Sequence, residues 1–289
     1  QRQMCIRDRY ITPKERYEIN MKLSFSTLGC PNWTWNEILA IAKDLGMSGV
    51  ELRGLGDEMY APDLKIFAPD KLDGTMSKLN QMGLEIPILT SGAYFADKNK
   101  AEEAFGEACA YIDLADKAQI PYIRVMAEPT PEPQNGDMRL AAKFYGQLCD
   151  YAKDTSVIPL IESNGQLASL GAMQDFLSAA GRSNMGVLWD IHHTVRFYGE
   201  TPGRAVSALG RYIKHVHIKD SFMENGKISY RMMGYGDIPA LDALRELENI
   251  CYGGFISFEW VKRWNPELEE PGIAFAYFCS YMNYLLKKL

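Results

Sequence analysis

The chain has 289 residues, 47% hydrophobic and 24% charged, with a net charge of −6, ordinary proportions for a folded globular protein. The acidity argues against nucleic acid or an anionic membrane surface as a partner, and no apolar run approaches the roughly 18 residues of a spanning helix. Six scattered cysteines without a Cys-x-x-Cys pair, and no secretory leader, suggest reduced thiols in a cytoplasmic protein.

At this length, one large domain or two small ones is expected, and barrels of about 250 residues commonly stand as one. Residues 1–20 are polar, aperiodic and unlike a signal peptide. Their first nine resemble translated sequencing-adapter read-through, so 1–20 reads as a non-native or disordered extension and the domain as 21–289. From there, short apolar runs alternate with helical patterns. Strands are expected at 23–27, 49–53, 85–90, 122–126, 157–162, 186–190, 214–219 and 255–259. Between the first two lie Ile38, Ile41, Ala42 and Leu45 at helical spacing, stopped by Gly46. Further helices run through Ala108, Ile112, Ala115 and Ala118, then through Phe144, Leu148 and Ala152. Leu241, Leu244 and Leu247 mark another, and Phe275, Phe278, Met282 and Leu285 mark a last one over about 271–288. Eight such alternations predict a single (β/α)₈ barrel of parallel strands with outer helices, which leaves no sheet edge exposed. The Pro-rich stretch 128–133 reads as a loop after the fourth strand rather than a linker.

Catalytic groups in this architecture come from the C-terminal ends of strands. The fifth, sixth and eighth strands end on Glu162, Asp190 and Glu259, and the seventh carries His215, His217 and Lys219 on one face. Three carboxylates on one rim repel one another unless a cation joins them. With an imidazole they suit one divalent ion, Mn, Co, Mg or Zn. The alternative is a set of unrelated strand-end residues that cap helices or bridge to arginine.

At Ile161-Glu162-Ser163-Asn164-Gly165, Trp189-Asp190-Ile191-His192-His193, His215-Val216-His217-Ile218-Lys219-Asp220 and Ser257-Phe258-Glu259-Trp260, the chain resembles the xylose-isomerase-like barrel family of sugar and sugar phosphate isomerases and epimerases. Gly49-Val50-Glu51-Leu52-Arg53 and Gly234-Tyr235-Gly236-Asp237-Ile238 look similar as well, and the likeness spans essentially 21–289. The resemblance implies that Glu162, Asp190, His217 and Glu259 ligate one metal and that His193 contacts substrate oxygen. It implies chemistry in which two adjacent substrate oxygens are held on the ion and an enediolate is stabilised. Glu162 and Glu259 would then exchange the proton as catalytic acid and base. Arg231, in the loop after the seventh strand, matches a position that reaches substrate. A carbohydrate substrate follows from the resemblance, as does association into dimers or tetramers, for which no surface stripe stands out.

Other polar residues have two readings each. Lys219 either binds a substrate oxygen or pairs with Asp190 or Glu259. Glu51, Arg53 and Arg124 suggest an internal ion-pair network, with Arg53 as a further substrate contact. His192 reads as a satisfied neighbour and His215 as a packed core histidine. Trp33, Trp35, Tyr94, Phe95, Trp189, Trp260 and Trp264 gather near the expected mouth, where they stack on a sugar or pack under loops. The parity of Trp189 and Trp260 favours packing.

Rival functions are narrowed unevenly. A three-zinc nuclease draws on about five histidines, and this chain has four, all between His192 and His217. A dehydratase or lyase acting on a keto-inositol or 3-keto-glycoside would use the same proton abstraction. A non-catalytic sugar-binding barrel would not need all four ligand positions filled.

Overall fold

A computed structural model describes residues 21–289, so the expected extension at 1–20 lies outside the described residues. Eight parallel strands form one sheet: β1 (Lys22–Ser26), β2 (Gly49–Glu51), β3 (Leu89–Tyr94), β4 (Tyr122–Met126), β5 (Ile158–Glu162), β6 (Gly186–Asp190), β7 (Ile213–Ile218) and β10 (Phe255–Phe258). Seven parallel ladders run from β2 through β1, β10, β7, β6, β5 and β4 to β3. Parallel bridges Gly49↔Glu85 and Leu52↔Leu89 join β2 to the approach of β3 and complete the ring. The barrel expected from the alternation is therefore present.

The third strand begins later than the apolar pattern suggests, at Leu89 rather than Glu85. Pro87 has no N–H to donate, so the segment bridges at Glu85 and resumes its ladder only beyond the proline. The helices match their sequence signals. Helix α1 (Trp35–Asp44) starts with a capping box in which the Thr34 side chain accepts from the Glu37 N–H and Glu37 accepts from the Thr34 N–H. Helices α3 (Ala101–Lys117), α4 (Met138–Ala152), α8 (Ala240–Asn249) and α9 (Pro271–Leu286) bury the residues that carried the period, apart from Leu241, which is half-buried. On α9, Phe275 stacks on Phe25 at 4.1 Å and Phe278 on Phe258 at 4.6 Å, tying the last helix to the first and last barrel strands.

One element departs from expectation. Residues after β7 form an antiparallel hairpin, β8 (Asp220–Glu224) and β9 (Lys227–Arg231), rather than a loop. Its turn is Asn225-Gly226, both with positive φ (51° and 76°), the backbone a tight hairpin requires.

Inside the barrel, side chains alternate with the pleat. Ile88, Leu160 and Leu188 make a small apolar cluster of their own, supported by Tyr122 and Ile158. Two residues further along β5 and β6, on the same inward face, stand Glu162 and Asp190. Under β5 and β6 the polar centre thus rests on apolar side chains, whereas at β7 the residue level with Leu188 is His215. Cys30, Cys109, Cys149 and Cys279 are free thiols. No helix among the described residues is long and apolar enough to cross a membrane.

Candidate metal centre

Strand ends bring the centre together. Glu162 closes β5 and Asp190 closes β6, where it also caps the helix α6 (Ile191–Tyr198) by accepting the His193 N–H through Oδ1 at 2.9 Å. Its Oδ2 is turned instead to Lys219 Nζ and toward His193 and His217. Because α6 starts at once, its first turn carries His193 back over the rim, with Nδ1 3.4 Å from Asp190 Oδ2 and 3.6 Å from Glu162 Oε1. His217 comes from β7 and pairs in register with Asp190 and Ser257. Glu259 follows β10 and donates its N–H to Ile218 O at 3.1 Å.

His217 Nδ1 lies 3.9 Å from Glu162 Oε1, 3.8 Å from Asp190 Oδ2 and 3.5 Å from Glu259 Oε1. It is buried and has no hydrogen-bond partner. Two donors each about 2.1 Å from one ion lie roughly 3–3.5 Å apart, so this spacing is within a few tenths of an ångström of a coordination sphere. Glu162, His217 and Glu259 also form a group whose potential donor atoms all lie within 4.8 Å of one another. One imidazole and three carboxylates, with an unpartnered ring nitrogen aimed among them, fit a divalent cation.

Behind His217 is a carboxylate that the sequence reading paired differently. Glu51 Oε2 accepts from His217 Nε2 at 2.8 Å and from His215 Nε2 at 2.9 Å. It makes no ion pair with Arg53 or Arg124, which corrects the network expected among those three. The bond to Nε2 fixes which ring nitrogen of His217 is presented to the centre, the usual arrangement behind a ligating histidine. Arg124 instead lies 3.2 Å from Glu162 Oε2. Lys219 Nζ bridges Asp190 Oδ2 and Glu259 Oε2, the latter at 2.6 Å, so it takes the pairing role. The three central carboxylates are therefore partly neutralised by the chain's own cations, in addition to any ion they hold.

Their proton affinities differ with their neighbours. Burial raises Glu162 and Arg124 opposes it, leaving the carboxyl at about 7. For Glu259, burial also acts upward, but Lys219 and His217 hold it below the usual range. Asp190 is likewise buried, yet His193 and Lys219 keep it well down. Burial pushes His193 down to about 4, against the pull of Asp190. Burial would lower Lys219 too, but Asp190 and Glu259 more than reverse it and it stays charged.

A cavity of about 720 Å³ opens above this centre, with Arg53, Arg124, Glu162, His193, Lys219 and Glu259 in its wall. Asp190 and His217 lie beneath, fully buried. Arg53 also reaches back to Met59 O through Nη1 at 3.3 Å. Arg231 is outside the wall: strand alternation puts it on the opposite hairpin face, over the Phe222 ring and 3.6 Å from Glu224. His192 is buried, bonded to Ser221 Oγ at 2.8 Å and stacked on Tyr230.

Two further carboxylates pin the loops around the cavity. Glu128 accepts from the N–H groups of Gln134, Gly136 and Gln166 and from the Gln166 side chain, pinning the Pro-rich loop. Asp220 accepts from the N–H groups of Ser221, Gly234, Gly236 and Ile238, pinning the hairpin base and the loop behind it. Of the seven aromatics expected near the mouth, only Trp264 lines the cavity, joined by Phe197 and Tyr230. Trp189 and Trp260 are fully buried with their indole N–H groups bonded to Thr194 Oγ1 and Glu269 O.

A family model described as xylose isomerase-like TIM barrel matches residues 39–277. No curated protein matches the sequence. Among solved structures, the IOLI protein with a bound zinc atom superposes with a TM-score of 0.75 at 18% identity, covering 93% of this chain and 99% of that one. The probable 3-DHS dehydratase AsbF from Bacillus anthracis gives 0.75 at 16% identity, over 91% and 99%. D-psicose 3-epimerase from Clostridium cellulolyticum H10, solved with D-tagatose, gives 0.73 at 15% identity, over 92% and 99%. At these identities the likeness is one of fold.

Proposed function

Because the chain belongs to the xylose isomerase-like TIM barrel family, we propose that it is a divalent-metal-dependent sugar isomerase or epimerase. Its proposed ligands are Glu162, Asp190, His217 and Glu259. The observation that carries this reading is the buried, unpartnered Nδ1 of His217, with three carboxylate oxygens 3.5–3.9 Å away. When bound, a divalent ion would supply Lewis acidity, making the C–H beside a substrate carbonyl easier to ionise.

The chain's own groups do the rest. Glu162 and Glu259 stand on strands separated by β6 and β7, so they face a substrate from two sides of the rim. One takes a proton from carbon and the other returns one, the exchange that shifts a carbonyl or inverts a hydroxyl-bearing carbon. Arg124 and Lys219 hold these two carboxylates in place. His193 can present its ring nitrogen to a substrate oxygen, and the apolar side chains beneath Glu162 and Asp190 exclude water from that side. A small carbohydrate is the proposed ligand in a cytoplasmic setting.

Elemental analysis of purified protein should find one divalent ion per chain. A panel of ketoses, inososes and 3-keto-glycosides with added Mn²⁺ should give an isomer or epimer as product. Glu162→Gln should keep the melting temperature while lowering turnover by about 10²–10⁴-fold. A variant that retains near-native turnover would sink the acid–base assignment. A dehydrated product would move the reaction to the dehydratase class, and tight sugar binding without turnover would make the barrel a binding module.

A further inference from the structure

The cavity is much larger than its reactive floor needs. At about 720 Å³ it falls in the range of sites filled by drug-sized ligands, roughly 300–1,000 Å³. A single monosaccharide is far smaller than such ligands. The space beyond the carboxylate–histidine cluster has apolar walls: Pro129 and Pro131 from the Pro-rich loop, Met223 and Ile228 from the hairpin, and Val261 and Trp264 from the segment after β10. Two of these are exposed as large apolar side chains, Met223 at 49% and Trp264 at 59%. Exposed apolar residues gathered in one concavity signal a ligand surface more than a packing accident. The indole face of Trp264 suits the C–H face of a sugar ring or an aromatic ring.

The charges point the same way. Arg124 and Lys219 are committed to Glu162, Asp190 and Glu259, and Glu132 adds a further acidic side chain to the wall. Among the described residues lining the cavity, the remaining cations are Arg53, which follows β2 and reaches Met59 O, and Lys227 at the hairpin turn; they come from separate elements rather than forming a phosphate-holding cluster. The part of the ligand that fills the outer space should therefore be uncharged and ring-shaped.

We propose that the substrate is an uncharged two-ring carbohydrate, a disaccharide or a glycoside. Its reacting sugar lies on the floor and its second ring stacks on Trp264, between the hairpin and the Pro-rich loop. This rests on the catalytic reading for which sugar is placed at the floor, but its test is binding and does not need turnover. Calorimetry on the Mn²⁺-loaded protein would compare glucose, galactose, mannose and xylose with their β-1,4-linked disaccharides, their p-nitrophenyl glycosides and their phosphates. At least one two-ring ligand should bind ten-fold or more tightly than its parent monosaccharide. Trp264→Ala should remove that gain while leaving the parent's affinity unchanged. Tightest binding by a disaccharide identifies the second ring as sugar, and by a nitrophenyl glycoside as an aromatic group; both support the proposal. It is overturned if no two-ring ligand exceeds its parent, if a phosphate binds best, or if Trp264→Ala leaves the gain intact. A confirmed gain without turnover of any panel member would instead count against the catalytic reading alone.

Discussion

Glu162, Asp190 and Glu259 share one rim but differ in what faces them, and the differences set how the centre would respond to pH. Glu162 sits at about 7 because burial outweighs the single guanidinium of Arg124, whereas Lys219 keeps Glu259 ionised. Below about 7 the metal-free chain therefore carries a proton on Glu162 that an arriving ion must displace. Apparent Mn²⁺ affinity should fall as pH drops through 7, by up to about tenfold per unit from this group. Burial opposes charge on His217, but Glu51 and Glu259 raise it well above the usual imidazole range, so its ring also gives up a proton to the ion. Calorimetry at pH 6 in two buffers of different ionisation enthalpy should register more than one proton released per ion, and Glu162→Gln should lower the count by nearly one. Equal proton counts in the two proteins would show that another group carries the proton.

Single elements place these groups with little slack. Asp190 ends β6 and begins α6 in one residue, so the same carboxylate caps a helix and faces the rim, and His193 follows one turn later. The hairpin hangs on Asp220, whose carboxylate takes four backbone N–H groups. Asp220→Ala should leave those donors unmatched, costing about 2–4 kcal/mol and opening the hairpin to proteolysis. Since Tyr230, Met223 and Ile228 line the cavity from that hairpin, KM should rise more than kcat falls. An unchanged KM with a reduced kcat would mean that the hairpin does not contact substrate. The Asn225-Gly226 turn was a legible signal for this element, because few other dipeptides adopt two successive positive φ values. With the hairpin recognised, strand alternation would also have set Arg231 apart from the cavity-facing Tyr230.

At the scale of the whole molecule, the ring is held closed by packing between its ends. Phe275 and Phe278 of α9 lie against Phe25 of β1 and Phe258 of β10, so the last helix seals the seam where the chain's first and last strands meet. Phe278→Ala should cost about 3–5 kcal/mol, lowering the melting temperature by roughly 5–15 °C in one cooperative transition. Two separated transitions would mean that α9 docks independently of the barrel.

The amino-acid sequence by itself determined the alternation of eight strands and helices, the inward face of each strand and the four strand-end groups. These are local properties: periods of 2 and 3.6 residues and the positions at which apolar runs stop. It also placed Glu51 and Arg53 on one inward face of the expected second strand, two residues apart. Only the tertiary structure decided who pairs with whom, because those choices join residues far apart in the chain. Glu51 meets His217 across 166 positions, and the register of the closed ring, which no local period encodes, gives it histidines rather than arginines. The same closure turned Lys219 onto Asp190 and Glu259, left His217 Nδ1 without a partner among the carboxylates, and selected Trp264 as the one expected mouth aromatic that lines the cavity.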